Sequence, residues 1–375
     1  MPDRHQLPPL REDRGSGQAQ TSDPPVVAVD LGATHTRIAV ASDGALDCVF
    51  VHKTAELARN EAQGVVPGVV LAIRDAIEEG LGRLRPASIG IAVAAYVDHF
   101  GVVLQERPFG LRAGSWLRDS VSGTFEVPVV VDNDANMAAL GEATLGAARG
   151  LGNVAVITLG TTIGLGVIAD GRLLRGAHGA ACEAGTLLVP VRRGRTGRDP
   201  YARAGRLGHG STSAPAHFAI LEELVGGGAL LRSIETPAHP VEFTNGSGRA
   251  RRGIFARAAA GDRRAKAAVR HAIEGWAMLL ADLVALFDPE VFVISGGFVE
   301  DAPAFIEPLR RRAAELCPLP PDIRIGDLGP QSGLVGAVVA ARSVLTPLAP
   351  AAALGGSSSR NQGRASGYSL REVEP

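Results

Sequence analysis

The apolar residues of this chain fall into short β-branched runs and longer stretches of helical period, and the pattern begins at Val26. VVAVDLG (26–32) is an apolar run closed by a turn and predicts a buried strand. TRIAVAS (36–42) predicts a second strand. After an Asp43-Gly44 hairpin signal, ALDCVFVH (45–52) predicts a third. Val65, Val69, Ala72, Ile73, Ala76 and Ile77 share one helix face. SIGIAVAA (88–95) predicts the next strand, and Pro128 opens VVVDN, a strand running into a helix over Ala135–Ala148. The first half thus reads β-β-β-α-β-α-β-α.

The order then restarts. NVAVITLG (153–160) and GLGVIADG (164–171) predict strands joined by a glycine-rich turn. Residues 191–215 show no periodicity and read as loop. A long helix is expected near 262–286, a strand over 291–297, a helix over 301–315, a short strand over 324–328 and a last helix over Gly333–Val344. Each half opens with strands around a Gly/Thr turn. Duplication of an α/β unit with a cleft between the copies is the economical reading. Residues 1–25 and 349–375, rich in Pro, Gly, Ser and charge, are expected to be disordered tails.

Composition narrows the function classes. The 375 residues carry 38 basic and 39 acidic side chains, a net charge of −1, which points to neither nucleic acid nor an anionic membrane. No Gly-Lys-Ser/Thr follows a glycine-rich loop, which excludes a P-loop. Cys48, Cys182 and Cys317 are scattered, as in a protein of the reducing cytoplasm. The polar N-terminus does not read as a signal peptide, and no apolar run reaches the roughly 18 residues of a membrane helix.

Four motifs carry candidate chemistry. In Asp30-Leu31-Gly32-Ala33-Thr34-His35-Thr36, Gly32 permits a tight turn whose amides can face an anion, and Asp30 could hold Mg²⁺ through water. An ordinary hairpin turn would look the same. Thr158-Leu159-Gly160-Thr161-Thr162-Ile163-Gly164 repeats that logic, and two such loops across a cleft can grip a triphosphate. Thr162 is β-branched and resists positive φ, so either the turn differs somewhat or Thr162 sits at a tolerant position. In Asp132-Asn133-Asp134, one residue is explained by helix capping, but three polar residues exceed what a cap requires. Asp134 could take the proton of an attacking hydroxyl, and Asn133 could hold a neighbouring one. VFVISGG, ending in Gly296-Gly297, offers bare backbone for an adenine or ribose.

Taken together, DLGATHTR (30–37), VDNDANMAALGE (131–142), TLGTTIGLG (158–166), RGAHGAACEAG (175–185) and DPEVFVISGG (288–297) resemble the ROK family of sugar kinases and related repressors. That family lies within the actin-like ATPase superfamily, and the resemblance covers roughly residues 26–345. It implies an α/β fold of two actin-like, ribonuclease-H-like domains. The first spans 26–148 and holds the sugar side, the first phosphate loop and the catalytic Asp. The second spans 149–330 and holds the second phosphate loop and the adenosine site. A last helix within 331–348 packs back on the first. The resemblance further implies a cytosolic homodimeric kinase that uses Mg-ATP. It makes Asp134 the base and puts Glu183 on sugar hydroxyls, with Glu222 the remnant of a second sugar contact.

Departures from the family pattern fall on the sugar side. Thr186 stands where family kinases carry a zinc-binding His, and 191–221 lacks the CxCGxxGC cluster, with only His209 and His217 as candidate ligands. No structural zinc is therefore expected. Ala94-Ala95 replaces the usual Pro-Gly after the strand. The competing reading is a non-catalytic ROK-type sugar-binding or regulatory protein. Only 25 residues, rich in proline, precede the first strand, so direct DNA reading is not expected. Other actin-like ATPases would leave RGAHGAACEAG unexplained.

Overall fold

Two five-stranded sheets of the same order organise the chain. The computed structural model describes residues 23–42, 45–58, 64–160, 162–190, 218–234 and 247–345. The first sheet contains β1 (Val26–Leu31), β2 (His35–Ser42), β3 (Ala45–Lys53), β4 (Ser88–Val93) and β5 (Val129–Asn133), in the order β3-β2-β1-β4-β5. The second half opens with β6 (Val154–Leu159), β7 (Ile163–Ala169) and β8 (Arg172–Leu173). A small antiparallel pair follows, β9 (Leu188–Pro190) with β10 (Phe218–Ile220). With β11 (Val291–Ser295) and β12 (Ile323–Ile325), the second sheet reads β8-β7-β6-β11-β12. In both sheets the first three strands are antiparallel and the last two run parallel to the first. β1, β4 and β11 are buried end to end, as strands covered on both faces must be, which is why they read as unbroken apolar runs.

The helices are α1 (Thr54–Leu57), α2 (Val66–Leu81), α3 (Leu117–Phe125), α4 (Asp134–Leu145), α5 (Leu221–Val225), α6 (Gly227–Ile234), α7 (Ser247–Ala259), α8 (Arg263–Phe287), α9 (Ala302–Leu316) and α10 (Ser332–Ser343). Val69, Ala72, Ile73 and Ala76 form the buried stripe of α2, as the periodicity predicts. α8 starts at an Asp262 cap that accepts from the amides of Arg264 and Ala265. Its Trp276 packs with Phe298 and Phe305, and Nε1 donates to the Val225 carbonyl at 3.1 Å.

α4 and α10 exchange sheets. α4 follows the first sheet in the chain but packs on β6 and β7 of the second, with Ala138 and Ala139 against Val154, Val156 and Ile168. α10 follows the second sheet and packs on β1 and β4 of the first, with Leu334, Ala337 and Val338 against Val26, Ala28 and Ala92. The two helices also lie against each other. Their backbones come so close that a side chain at Gly336 would collide with the Met137 carbonyl.

Three helices depart from the sequence expectations. α5, α6 and α7 lie between the 191–215 loop and the long helix near 262, where the sequence reading assigns no element. α6 opens on glycines, which intrinsic propensity disfavours, while α7 is rich in the helix formers Arg and Ala but offers few apolar positions. Tertiary packing prevails: Ile254 and Phe255 of α7 are buried, and Phe255 stacks against Phe298 and Phe305. The Asp43-Gly44 turn, the loop with His209 and His217, Thr161, and most of both proposed tails lie outside the described residues.

Candidate active site

β1, β4 and β5 are parallel neighbours, so Asp30 at the end of β1 and Asn133-Asp134 at the end of β5 emerge at one edge of the first sheet. In open α/β sheets that edge is where ligands bind. Three adjacent polar residues there have separate tasks. Asn133 is the N-cap of α4: its Oδ1 accepts from the amides of Ala135 at 2.8 Å and Asn136 at 3.4 Å, while Nδ2 donates to the Ala95 carbonyl at 3.3 Å. Asp132 is buried and pairs with Arg175 Nε at 2.6 Å and Asn136 Nδ2 at 2.7 Å. Asp134 is left over: its carboxylate is bonded by backbone amides alone among the described residues, Oδ1 accepting from Ala135 at 2.9 Å and the residue's own amide also bonding it. Capping therefore accounts for Asn133 and not for Asp134.

Burial, and then the nearby Asp30 charge, push the Asp134 carboxyl up to about 6. Asp30 is itself buried and raised for that reason, with the Arg37 guanidinium, 3.1 Å from Oδ2, pulling the other way. Two neighbouring carboxylates at the strand ends suit a hard divalent cation held through water, so Mg²⁺ fits this donor set.

The first Gly/Thr turn is closed by the Gly32 amide donating to the His35 carbonyl at 3.1 Å. Thr34 is half-buried and its carbonyl accepts from the Thr54 amide. Thr36 is fully buried, and its hydroxyl lies 3.0 Å from that of Thr54, which in turn donates to the Gly32 carbonyl at 2.7 Å. The Thr36 hydroxyl is thus engaged in holding the turn together.

At the matching edge of the second sheet, β6 ends in Gly160 and β11 in Gly296-Gly297. The two turns meet: the Phe298 amide donates to the Leu159 carbonyl at 3.0 Å, and the Gly160 amide to the Thr162 carbonyl at 3.0 Å. Gly296 has φ +87° and lies against the Leu159 backbone, so a side chain there would be both strained and obstructed. Thr162 is exposed and its φ is not positive, so it sits without strain. Gly164 also meets a packing requirement: any side chain would collide with Thr158 Oγ1 and press on Ala135 of α4. It lets β7 and α4 pack closely.

The segment 175–185 belongs to the second half but rests on the first. Arg175 pairs with Asp132, and His99 Nε2 lies 3.0 Å from the Gly176 carbonyl. This delivers Glu183 to Asp134. Burial, then the Asp134 charge, push Glu183 up to about 7, although the Tyr96 hydroxyl donates to it and Arg107 lies near. Glu222, in the first turn of α5, accepts from the Ile163 amide at 3.3 Å and flanks Gly185. Burial raises it also. The structure thus brings Asp30, Asn133, Asp134, Glu183 and Glu222 near one another. Two further members, Tyr96 and Arg107, come from the irregular segment between β4 and α3. Cys182 holds φ +66°, and burial pushes its thiol up to about 11. Among the described residues, no group of three His, Cys, Asp or Glu side chains is arranged to hold a metal, and no helix is long and apolar enough to cross a membrane.

Duplicated sheets of this order, with acids at the strand ends of one and paired glycine turns at the strand ends of the other, define an actin-like ATPase fold. The chain belongs to the ROK family, whose sequence pattern matches residues 26–344. It is similar to a glucokinase from Streptomyces coelicolor, at 30% identity over 329 residues, 84% of this chain and 97% of the relative. Among solved structures it resembles a ROK family glucokinase from Streptomyces griseus in complex with glucose and AMPPNP, with a TM-score of 0.65, 29% identity and coverage of 85% of this chain and 99% of that one. A ROK hexokinase from Thermus thermophilus matches with a TM-score of 0.64 and 30% identity, over 86% and 99% of the two chains.

Proposed function

We propose that this ROK-family protein, an ATP-dependent sugar kinase, transfers the γ-phosphate of ATP to a hydroxyl of a neutral hexose or N-acetylhexosamine, with Asp134 as general base. The observation that carries the reading is the Asp134 carboxyl. It is buried at a strand end, free of the capping task that Asn133 performs, and has its proton affinity raised to about 6. At neutral pH it is mostly ionised yet basic enough to accept a hydroxyl proton.

Phosphoryl transfer asks mainly for positioning and charge neutralisation. In this reading, the Gly32–Thr34 and Gly160–Thr162 turns face the phosphates with amides other than those of Gly32 and Gly160, which close the turns. Asp30 holds Mg²⁺ through water, which supplies further neutralisation. Gly296-Gly297 offers the flat backbone against which adenosine lies. Asn133 Nδ2, Glu183 and Glu222 orient the acceptor hydroxyls, and Glu183, titrating near neutrality, can donate or accept.

A coupled ADP-release screen over glucose, mannose, fructose, allose and the N-acetylhexosamines tests the reading. Turnover on at least one sugar is expected, with Asp134→Asn losing about 10²–10⁴-fold in kcat while still binding ATP. Full activity in Asp134→Asn would remove the base. Sugar binding without turnover by the wild type would instead favour a non-catalytic sensor.

A further inference from the structure

Four non-glycine residues among those described have positive φ: Glu126 at +55°, Asp170 at +50°, Cys182 at +66° and Asp288 at +41°. Three of them have ordinary reasons. Glu126 and Asp288 follow the last turns of α3 and α8, and Asp170 opens the Asp170-Gly171 turn between β7 and β8. Cys182 stands at neither a helix C-terminus nor a strand-to-strand turn, and it immediately precedes Glu183. Backbone conformations that a side chain resists persist only where the surroundings impose them, and they gather at functional sites.

The left-handed residue opens a closely tied turn. The Ala184 amide donates to the Cys182 carbonyl at 2.8 Å, and Glu183 between them has φ −77° and ψ 63°, the conformation of an inverse γ-turn. The Glu183 carbonyl accepts twice from Thr186, from its amide at 3.0 Å and from its hydroxyl at 2.8 Å. Gly185 has no room for a side chain, which would meet the Ile163 carbonyl and the Glu222 carboxylate. The peptide groups on both sides of Glu183 are therefore fixed, and so is the direction in which its side chain leaves the backbone. The Cys182 side chain packs against the core of the second half. Its thiol, pushed up by burial, is protonated at neutral pH and offers no nucleophile. We propose that Cys182 is a positioning residue: its left-handed conformation turns the chain so that the Glu183 carboxyl meets the sugar acceptor, and sugar binding requires that conformation rather than the thiol. This rests on the sugar-kinase reading, in which Glu183 orients acceptor hydroxyls, and names what holds Glu183 there.

A packing role and a conformational role rank substitutions of Cys182 in opposite orders. Glycine holds positive φ without cost and asparagine tolerates it, whereas a β-branched side chain there is a severe outlier. Valine, in contrast, is apolar and fills the half-buried position, while glycine leaves it empty.

Steady-state kinetics with the best acceptor from the screen, together with thermal unfolding, separate the two in Cys182→Gly, Cys182→Asn, Cys182→Ala and Cys182→Val. Cys182→Val is expected to raise KM for the sugar by about tenfold to a hundredfold, the range of one strained backbone residue, with KM for ATP unchanged. Cys182→Gly and Cys182→Asn should keep the sugar KM within about threefold of wild type, because both hold the left-handed conformation at little cost, even where Tm falls. The reverse order, with Cys182→Val near wild type and Cys182→Gly impaired, would overturn the proposal and leave Cys182 a packing residue. So would a loss of affinity shared equally by sugar and ATP. If Cys182→Val does not fold, the other two apolar variants decide, since both lack the thiol. A sugar KM clearly higher in Cys182→Gly than in Cys182→Ala overturns the proposal, and an equal or lower one supports it. A wild type that phosphorylates no sugar refutes the parent reading, and this one with it. A wild type that turns over while the variants follow the packing order refutes this one alone.

Discussion

Arg175 in the second half of the chain donates from Nε to Asp132 in the first at 2.6 Å, and Asp132 is buried while Arg175 is partly exposed. The bond ties the segment that carries Glu183 to the strand end that carries Asp134. Arg175→Met leaves a buried carboxylate with Asn136 as its remaining side-chain partner. The expected loss of stability is about 1–3 kcal/mol. Loosening of the segment should also raise KM for the sugar more than KM for ATP. Thermal unfolding and steady-state kinetics check the two parts separately.

Asp134 predicts opposite effects on activity and stability. Its carboxyl keeps its proton to about 6 in the folded protein, against 3.8 for an unperturbed Asp. Between those values the folded state binds more protons than the unfolded one, so this group's contribution to stability is present at low pH and lost as pH rises through 6. Asp134→Asn removes that cost and should raise Tm at pH 7.5, by roughly 1–2 °C per kcal/mol relieved. Activity follows the reverse course: kcat/KM of the wild type should fall as pH drops below about 6. A Tm series and a pH–rate profile measure both.

Glu142 is fully buried in α4 and accepts from the amides of Ala147, Asp327 and Leu328 at 3.0–3.2 Å. It fastens the end of α4 to the loop after β12. Glu142→Ala strands three amides and should destabilise by about 3 kcal/mol or more. Denaturant unfolding is the measurement. Residual folded protein should bind ATP normally, because no cleft residue depends on this carboxylate.

Gly336→Ala tests the close approach of α10 to α4. The new methyl would meet the Met137 carbonyl, a backbone group with little room to move. A loss of about 1–3 kcal/mol is expected, as for overpacking elsewhere. Thermal unfolding reads it directly.

Much of this was legible because local chemistry and fold agree. The buried strands β1, β4 and β11 are continuous apolar runs, and Asp30, Asn133-Asp134, Gly160 and Gly296 all stand at strand ends, where a turn motif is visible in sequence. Arg107 and Tyr96 were not legible as site residues. They lie in an irregular segment with no period, and only the fold brings them to Glu183, many residues downstream. IAVAAYVD stood out as a departure, but nothing in it marked the Tyr96 hydroxyl as a donor to that carboxylate. Gly164 carries a requirement its motif does not show: a side chain there would meet Thr158 and Ala135, which only the fold brings beside it. α7 was missed because an arginine-rich stretch is stabilised by two side chains, Ile254 and Phe255, rather than by a full apolar stripe.

The exchange of α4 and α10 between the sheets makes the two copies interdependent. Cutting the chain between α4 and β6 would leave the first sheet without Leu334, Ala337 and Val338, and the second without Ala138 and Ala139. Neither fragment could then cover its own strands. The duplicated units should therefore melt in one cooperative transition and not refold as separate halves. Ancestry in two pieces has ended in a single folding unit.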